Sequence, residues 1–147
     1  MTRSAPDPSN VPSFLIKQVS RELSRLAETQ LRPLGLGMAS LPVLEAVRQG
    51  KATTQAELAR LLRVEQPSMA QTLARLERDQ LIRRSPDPQH PRAQRIELTA
   101  LALQRLPQAR EILNEGNTRM LADFSVDETM RLTSFLQRLS ANLDRTG

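Results

Sequence analysis

A mainly α-helical chain with one small β-hairpin is the fold class that the sequence predicts, on three observations. Apolar residues recur at helical spacing in six segments, each set off by proline, glycine or a capping residue. One short stretch instead alternates polar and apolar residues beside a proline-rich turn. The core-forming residues are almost all aliphatic: Phe14, Phe124 and Phe135 stand without any Trp or Tyr, which suits helix packing and leaves little for stacking on unpaired bases.

Residues 1–11 are polar and proline-bearing and read as a flexible arm. A helix follows from Ser13 to about Leu31, with Leu15, Val19, Leu23 and Leu26 on one stripe, and Pro33 with Gly35 and Gly37 stops it. Ser40 is placed to cap a second helix over 41–49, which Gly50 ends. Thr54 and Glu57 form a capping box that starts a short helix over 55–62, with Leu58, Leu61 and Leu62 on its apolar side. A four-residue connection leads to Pro67, a proline suited to a helix start, and a helix to about Gln80. That helix offers Met69, Leu73 and Leu76 to a core and Ser68, Gln71, Thr72 and Arg75 to the outside. Two short helices joined this way, the second polar on its outer face, are a helix-turn-helix pattern.

Next, 81–84 and 93–98 read as two strands around a long tip loop at 85–92, since three prolines there argue against helix or central strand. A long helix is expected from Thr99 to about Leu121, with a kink or stutter at Pro107. Ser125 and Glu128 form a second capping box before a last helix to about Asp144, striped by Leu132, Leu136, Leu139 and Leu143. Together these elements predict a winged helix-turn-helix with long terminal dimerisation helices. The corresponding organisation is an arm at 1–11, supporting and dimerising helices at 12–50, a DNA-binding lobe at 51–98 and dimerisation helices at 99–147. The terminal apolar stripes need burial, either across a two-fold axis or back against a monomer's central lobe, and the homodimer is the expected arrangement.

Charge points the same way. The 147 residues carry a formal net charge of +5, and all basic residues but Lys17 and Lys51 are arginines. Residues 60–95 hold eight arginines against four acids, nearly the whole excess. Arginine forks match phosphates and guanine edges, although an Arg-rich composition also follows from a GC-rich genome.

Several classes are excluded or disfavoured. No cysteine means no disulfide and no thiolate site. His90 is the one histidine and, in a proline-rich loop, reads as a surface residue. No metal or cofactor is therefore expected, and with no nucleophile–base constellation or Gly-rich phosphate loop, no enzyme. No apolar run reaches membrane-spanning length and the N-terminus lacks a signal-peptide pattern, so a cytoplasmic protein without a membrane partner is expected. Met38, Met69, Met120 and Met130 read as core or crevice fillers.

From Val64-Glu65-Gln66-Pro67-Ser68-Met69 through Asp87-Pro88-Gln89-His90-Pro91-Arg92-Ala93 to Leu98-Thr99, the chain resembles the MarR family, and the Glu-Gln-Pro-Ser opening its SlyA-like branch. The resemblance implies a dimeric transcriptional regulator, a repressor in the first instance, on a pseudo-palindromic operator in double-stranded DNA. It also implies release by a small apolar or phenolic effector bound between the dimer helices and the DNA-binding lobes. The family wing reads Asp-x-x-Asp-Arg-Arg-Ala; here His90 replaces the second Asp and Pro91 the first Arg. Gln80 stands where the family has a glycine, so a left-handed backbone there would be strained.

The candidate contacts are then specific. Pro67 opens a helix whose N-terminal N–H groups suit a phosphate. Ser68 suits a phosphate or base edge, Gln71 an adenine, Thr72 a thymine methyl, and Arg75 a phosphate or guanine. Gln55 is positioned to clamp the backbone, and Arg92, at the wing tip, to enter the minor groove. Two other readings stay open: a winged-helix protein-interaction module, and a low-specificity architectural DNA binder.

Overall fold

The computed structural model describes residues 4–5 and 7–144. Six helices and one two-stranded antiparallel sheet make up the described chain: α1 (Pro12–Leu31), α2 (Ser40–Arg48), α3 (Gln55–Leu62), α4 (Gln66–Arg78), β1 (Ile82–Asp87), β2 (His90–Leu98), α5 (Ala100–Met120) and α6 (Val126–Asp144). The arm expected at 1–11 lies partly outside the described residues; inside them, Pro8–Asn10 form a 3-10 turn capped by Asp7, which accepts from the Ser9 N–H at 3.0 Å.

The helix starts follow their sequence signals. Thr54 Oγ1 accepts from the Glu57 N–H (3.2 Å), and Glu57 answers by accepting from the Thr53 N–H (3.3 Å). Ser125 and Glu128 form the reciprocal box, at 3.1 and 2.9 Å. Thr99 caps α5, and α5 runs unbroken through Pro107. Ser40 differs from expectation. It lies buried inside α2, donating its N–H to Gly37 O, while Ala39 occupies the cap position without a side-chain bond.

The end of α4 shows how the chain leaves a helix without glycine. Leu81 N–H donates to Leu76 O (2.9 Å) and Gln80 N–H to Glu77 O (3.0 Å), with Leu76 and Leu81 both buried. This is a Schellman closure, which demands a left-handed residue, and Gln80 supplies it at φ 62°. Left-handed backbone costs a side-chain-bearing residue ~1–2 kcal/mol, partly offset by glycine's larger loss of chain entropy. Gln80→Gly is therefore expected to stabilise the fold by roughly 0.5–1 kcal/mol, read by thermal unfolding at fixed protein concentration. Unchanged or lowered stability would show that the turn is not strained.

The core joins α2, α3, α4, both strands and the inner faces of α1 and α5. Leu31, Leu44, Leu58, Met69, Leu73, Leu76, Leu81, Ile82, Ile96 and Leu106 are fully buried, and all three Phe residues are exposed. Aliphatic packing alone thus closes the lobe. Polar ties hold α5 to it: Arg105 Nη1 donates to Leu34 O (2.8 Å), and Arg110 donates to Glu45 Oε1 through Nε (2.9 Å) and Nη2 (2.7 Å). Partial burial pushes the Glu45 carboxyl up, but the hydrogen bonds from Arg110 and Arg48 outweigh it and hold the group below its usual range.

The outer faces are different. Phe14, Leu15, Ile16, Val19 and Leu26 of α1 are exposed, and α6 buries no residue at all. Leu61, Met120 and Met130, expected to be covered, are exposed as well.

The wing is longer than expected. Both strands run into the proline-rich stretch, leaving only Pro88 and Gln89 between them, and Gln89 N–H donates to Asp87 Oδ1 at 3.0 Å. Pro86 faces Gln94 but Asp87 faces His90, so residues 91–93 bulge from the ladder. In a two-stranded ribbon each strand is an edge, which accommodates Pro86 and the backbone of Pro91 without losing an interior ladder.

Candidate nucleic-acid interface

Helix α4 presents two chemically distinct faces. Met69, Leu73 and Leu76 are buried against the lobe, while Ser68, Gln71 and Arg75 are exposed and Thr72 is half-buried. The spacing of three, four and seven residues puts these polar side chains on one stripe. Thr72 Oγ1 donates to Ser68 O (3.1 Å), so its hydroxyl is committed to the helix and its methyl is the group left for a partner. The exposed Pro67 occupies the first turn, where an N–H has no intrahelical acceptor. Gln55, half-buried at the start of α3, donates through Nε2 to Gln66 Oε1 at 3.2 Å and so joins the starts of the two helices.

Arginine pairing divides into two groups. Arg78 pairs with Asp79 (3.5 Å), Arg84 with Glu77 (3.5 Å) and Arg95 with Glu97 (3.7 Å). Arg60, Arg75, Arg83 and Arg92 are exposed and have no acidic partner among the described residues. Arg92 does not sit at the wing tip as expected. It lies in the bulge one step back, bordering the cleft between the wing and the starts of α3 and α4, together with Gln55, Gln66 and Gln94. His90 begins β2 and is exposed.

Sequence reasoning missed a connection at Arg63. This residue closes α3 at φ 55° and reaches α6, where Nη1 donates to Ser140 Oγ (2.6 Å) and Ser140 O (3.2 Å), and Nη2 lies 3.5 Å from Asp144 Oδ2. The partners are 77 residues apart in sequence, so no local pattern announces them. No group of three or more His, Cys, Asp or Glu that could hold a metal occurs among the described residues. Nor, among them, is any helix long and apolar enough to cross a membrane.

The fold and this face define a winged helix-turn-helix with long terminal helices. Residues 34–93, the segment that carries the helix-turn-helix and most of the wing, match the MarR family. Solved structures extend the likeness over most of the chain. The transcriptional regulator SlyA superposes with a TM-score of 0.82 at 23% identity, covering 89% of this chain and 92% of that one. MepR of S. aureus, solved in a DNA complex, gives 0.82 at 23%, covering 90% and 98%. The organohalide-sensing regulator RdhR, bound to 2,4-dichlorophenol, gives 0.82 at 24%, covering 95% and 86%. SlyA and MepR match equally well, so the likeness does not separate a SlyA-like branch.

Proposed function

We propose that this chain is a transcriptional regulator of the MarR family, not an enzyme, that binds a pseudo-palindromic operator in double-stranded DNA as a homodimer. The observation that carries the reading is the polar stripe of exposed Ser68, Gln71 and Arg75 with half-buried Thr72, on a helix whose opposite face is locked into the core. A rigid polar helix of this kind fits a major groove, and the wing beside it offers Arg92 to the adjacent backbone and minor groove. Pro67 places the N-terminal end of the helix against a phosphate, and Gln55 clamps the same strand. Pairing through the exposed faces of α1 and α6 would set two such helices about 34–36 Å apart, one turn of B-DNA. Repression by occupying a promoter in the cytoplasm is the simplest use of such a dimer.

An effector site is the second element of the proposal. A cleft of about 130 Å³ lies between α1 and α5, lined by Leu23, Leu26, Ala27, Ile112 and Leu113 together with Gln30, Glu115 and Arg119. An apolar wall with polar groups beside it suits a small phenolic compound, and the dichlorophenol complex of RdhR supports that class.

The test is selection of bound fragments from sheared DNA of the source genome, followed by affinity against random duplex at several salt concentrations. The expected outcome is a pseudo-palindrome bound ~10³-fold or more tighter than random DNA. Binding without sequence preference would replace this reading with an architectural role. No binding at low salt would replace it with a protein-interaction module.

A further inference from the structure

Arg84 is the one residue among the described residues with a buried side-chain polar atom that lacks a hydrogen-bond partner. Its side chain is only 20% exposed, and none of its nitrogens makes a hydrogen bond to a described residue. Glu77 Oε2 approaches Nε at 3.5 Å on one flank, outside hydrogen-bond geometry and itself half exposed. A guanidinium whose buried Nε has no hydrogen-bond acceptor, and whose one ion pair is this long contact, is an incompletely satisfied group that a further anion would complete.

The space on its other flank has the matching character. A cleft of about 440 Å³ lies between the wing and the first turns of α3 and α4, bordered by Arg84, Arg92, Gln55, Gln66 and Gln94. No acidic residue lines it. Two guanidiniums and three side-chain amides are thus gathered where a tetrahedral oxyanion can accept from several donors at once, and the open mouth leaves room for a chain entering and leaving.

We infer that this cleft is a phosphate site and that it holds one backbone phosphate of the bound duplex in each half-site, with Arg84 as its inner cation. The inference rests on the proposed DNA-binding role and adds Arg84, Gln66 and Gln94 to the residues that perform it. The phosphate lies at the edge of the groove into which Arg92 reaches, so the cleft fixes the wing's height on the duplex. Glu77 keeps Arg84 in place when DNA is absent.

Two variants and one small ion test the site. Arg84→Gln removes the inner cation; Gln94→Glu leaves the lobe's core untouched and puts a carboxylate in the cleft. Each is expected to weaken operator and random duplex alike by about tenfold, with a salt dependence shallower by about one phosphate contact. At constant ionic strength, inorganic phosphate is expected to raise the melting temperature of the wild type more than chloride does, and to lose that effect in Gln94→Glu. Wild-type DNA affinity and salt slope in Gln94→Glu would overturn the inference, even if Arg84→Gln is too unstable to measure. Loss of phosphate protection in Gln94→Glu without loss of DNA affinity would overturn it too, and mark a site for free phosphate. If the wild type itself binds no duplex, the proposed function fails instead, which the wild-type titration shows separately.

Discussion

Replacing Leu136 and Leu139 together by glutamate is expected to turn the proposed homodimer into a monomer and to weaken operator binding by ~10²–10³-fold. The two leucines lie on α6, 46% and 41% exposed in the single chain, on a helix none of whose residues is buried. Neither contributes to the core of the lobe, so far-UV circular dichroism and the folding of the lobe should survive. Across a two-fold interface, however, the substitution buries four carboxylates where apolar atoms met, and each unpaired buried charge costs several kcal/mol. A monomer can hold only one half-site at a time. It forfeits the effective concentration that makes the second contact intramolecular, while its affinity for an isolated half-site stays near that of a wild-type lobe. Sedimentation gives the mass, and titrations on full and half operators give the two affinities. A variant that remains dimeric would place the interface on α1 alone, around Phe14, Ile16 and Val19. A wild type that sediments as a monomer would remove the dimer from the proposal.

Those exposed stripes were legible in the sequence as helices, but their exposure was not, because periodicity says which face is apolar and not what covers it. The same division runs through the molecule. Capping at Thr54 and Ser125, the early proline at Pro67, and the burial of Met69, Leu73 and Leu76 follow from interactions within a few residues, and each appears where the pattern put it. The left-handed backbone at Gln80 was foreseeable only through the family resemblance, which has a glycine at this position. The wing was read too short because Pro86 and Pro91 argue against a strand only when a second strand needs their N–H groups, and a two-stranded ribbon leaves that side to solvent. Ser40 was misread as a cap because a hydroxyl before an apolar run has the same local pattern inside a first turn as in front of it. The Arg63–Ser140 contact and the unsatisfied Arg84 depend on tertiary placement, and no residue spacing encodes them. Of the proposed DNA face, the stripe on α4 was therefore readable residue by residue, and the cleft beside it was not.

Arg75→Ala combined with Arg92→Ala is expected to abolish measurable operator binding under conditions where each single variant still binds. A charged contact to a phosphate or a bidentate contact to a base is worth ~1–3 kcal/mol, or roughly 5- to 150-fold per residue. The two residues stand on different elements, α4 and the wing bulge, share no partner, and their effects should add. Neither pairs with an acid among the described residues and both are exposed, so the unfolding midpoint and the dimer mass should stay within error of the wild type. The single variants also separate the kinds of contact. If Arg75 reads a base edge, Arg75→Ala weakens the operator far more than random duplex and leaves the salt slope nearly unchanged. If it holds a phosphate, both duplexes weaken alike and the slope falls by about one. Arg92 in a minor groove predicts a third pattern, in which the loss is largest on operators with A·T tracts under the wing, where the narrow groove concentrates negative potential. Wild-type affinity in the double variant would remove both arginines from the interface and leave the stripe Ser68, Gln71 and Thr72 as a solvated helix face. A loss confined to the full operator, with dimer mass also reduced, would mean that the arginines act through assembly and not through DNA.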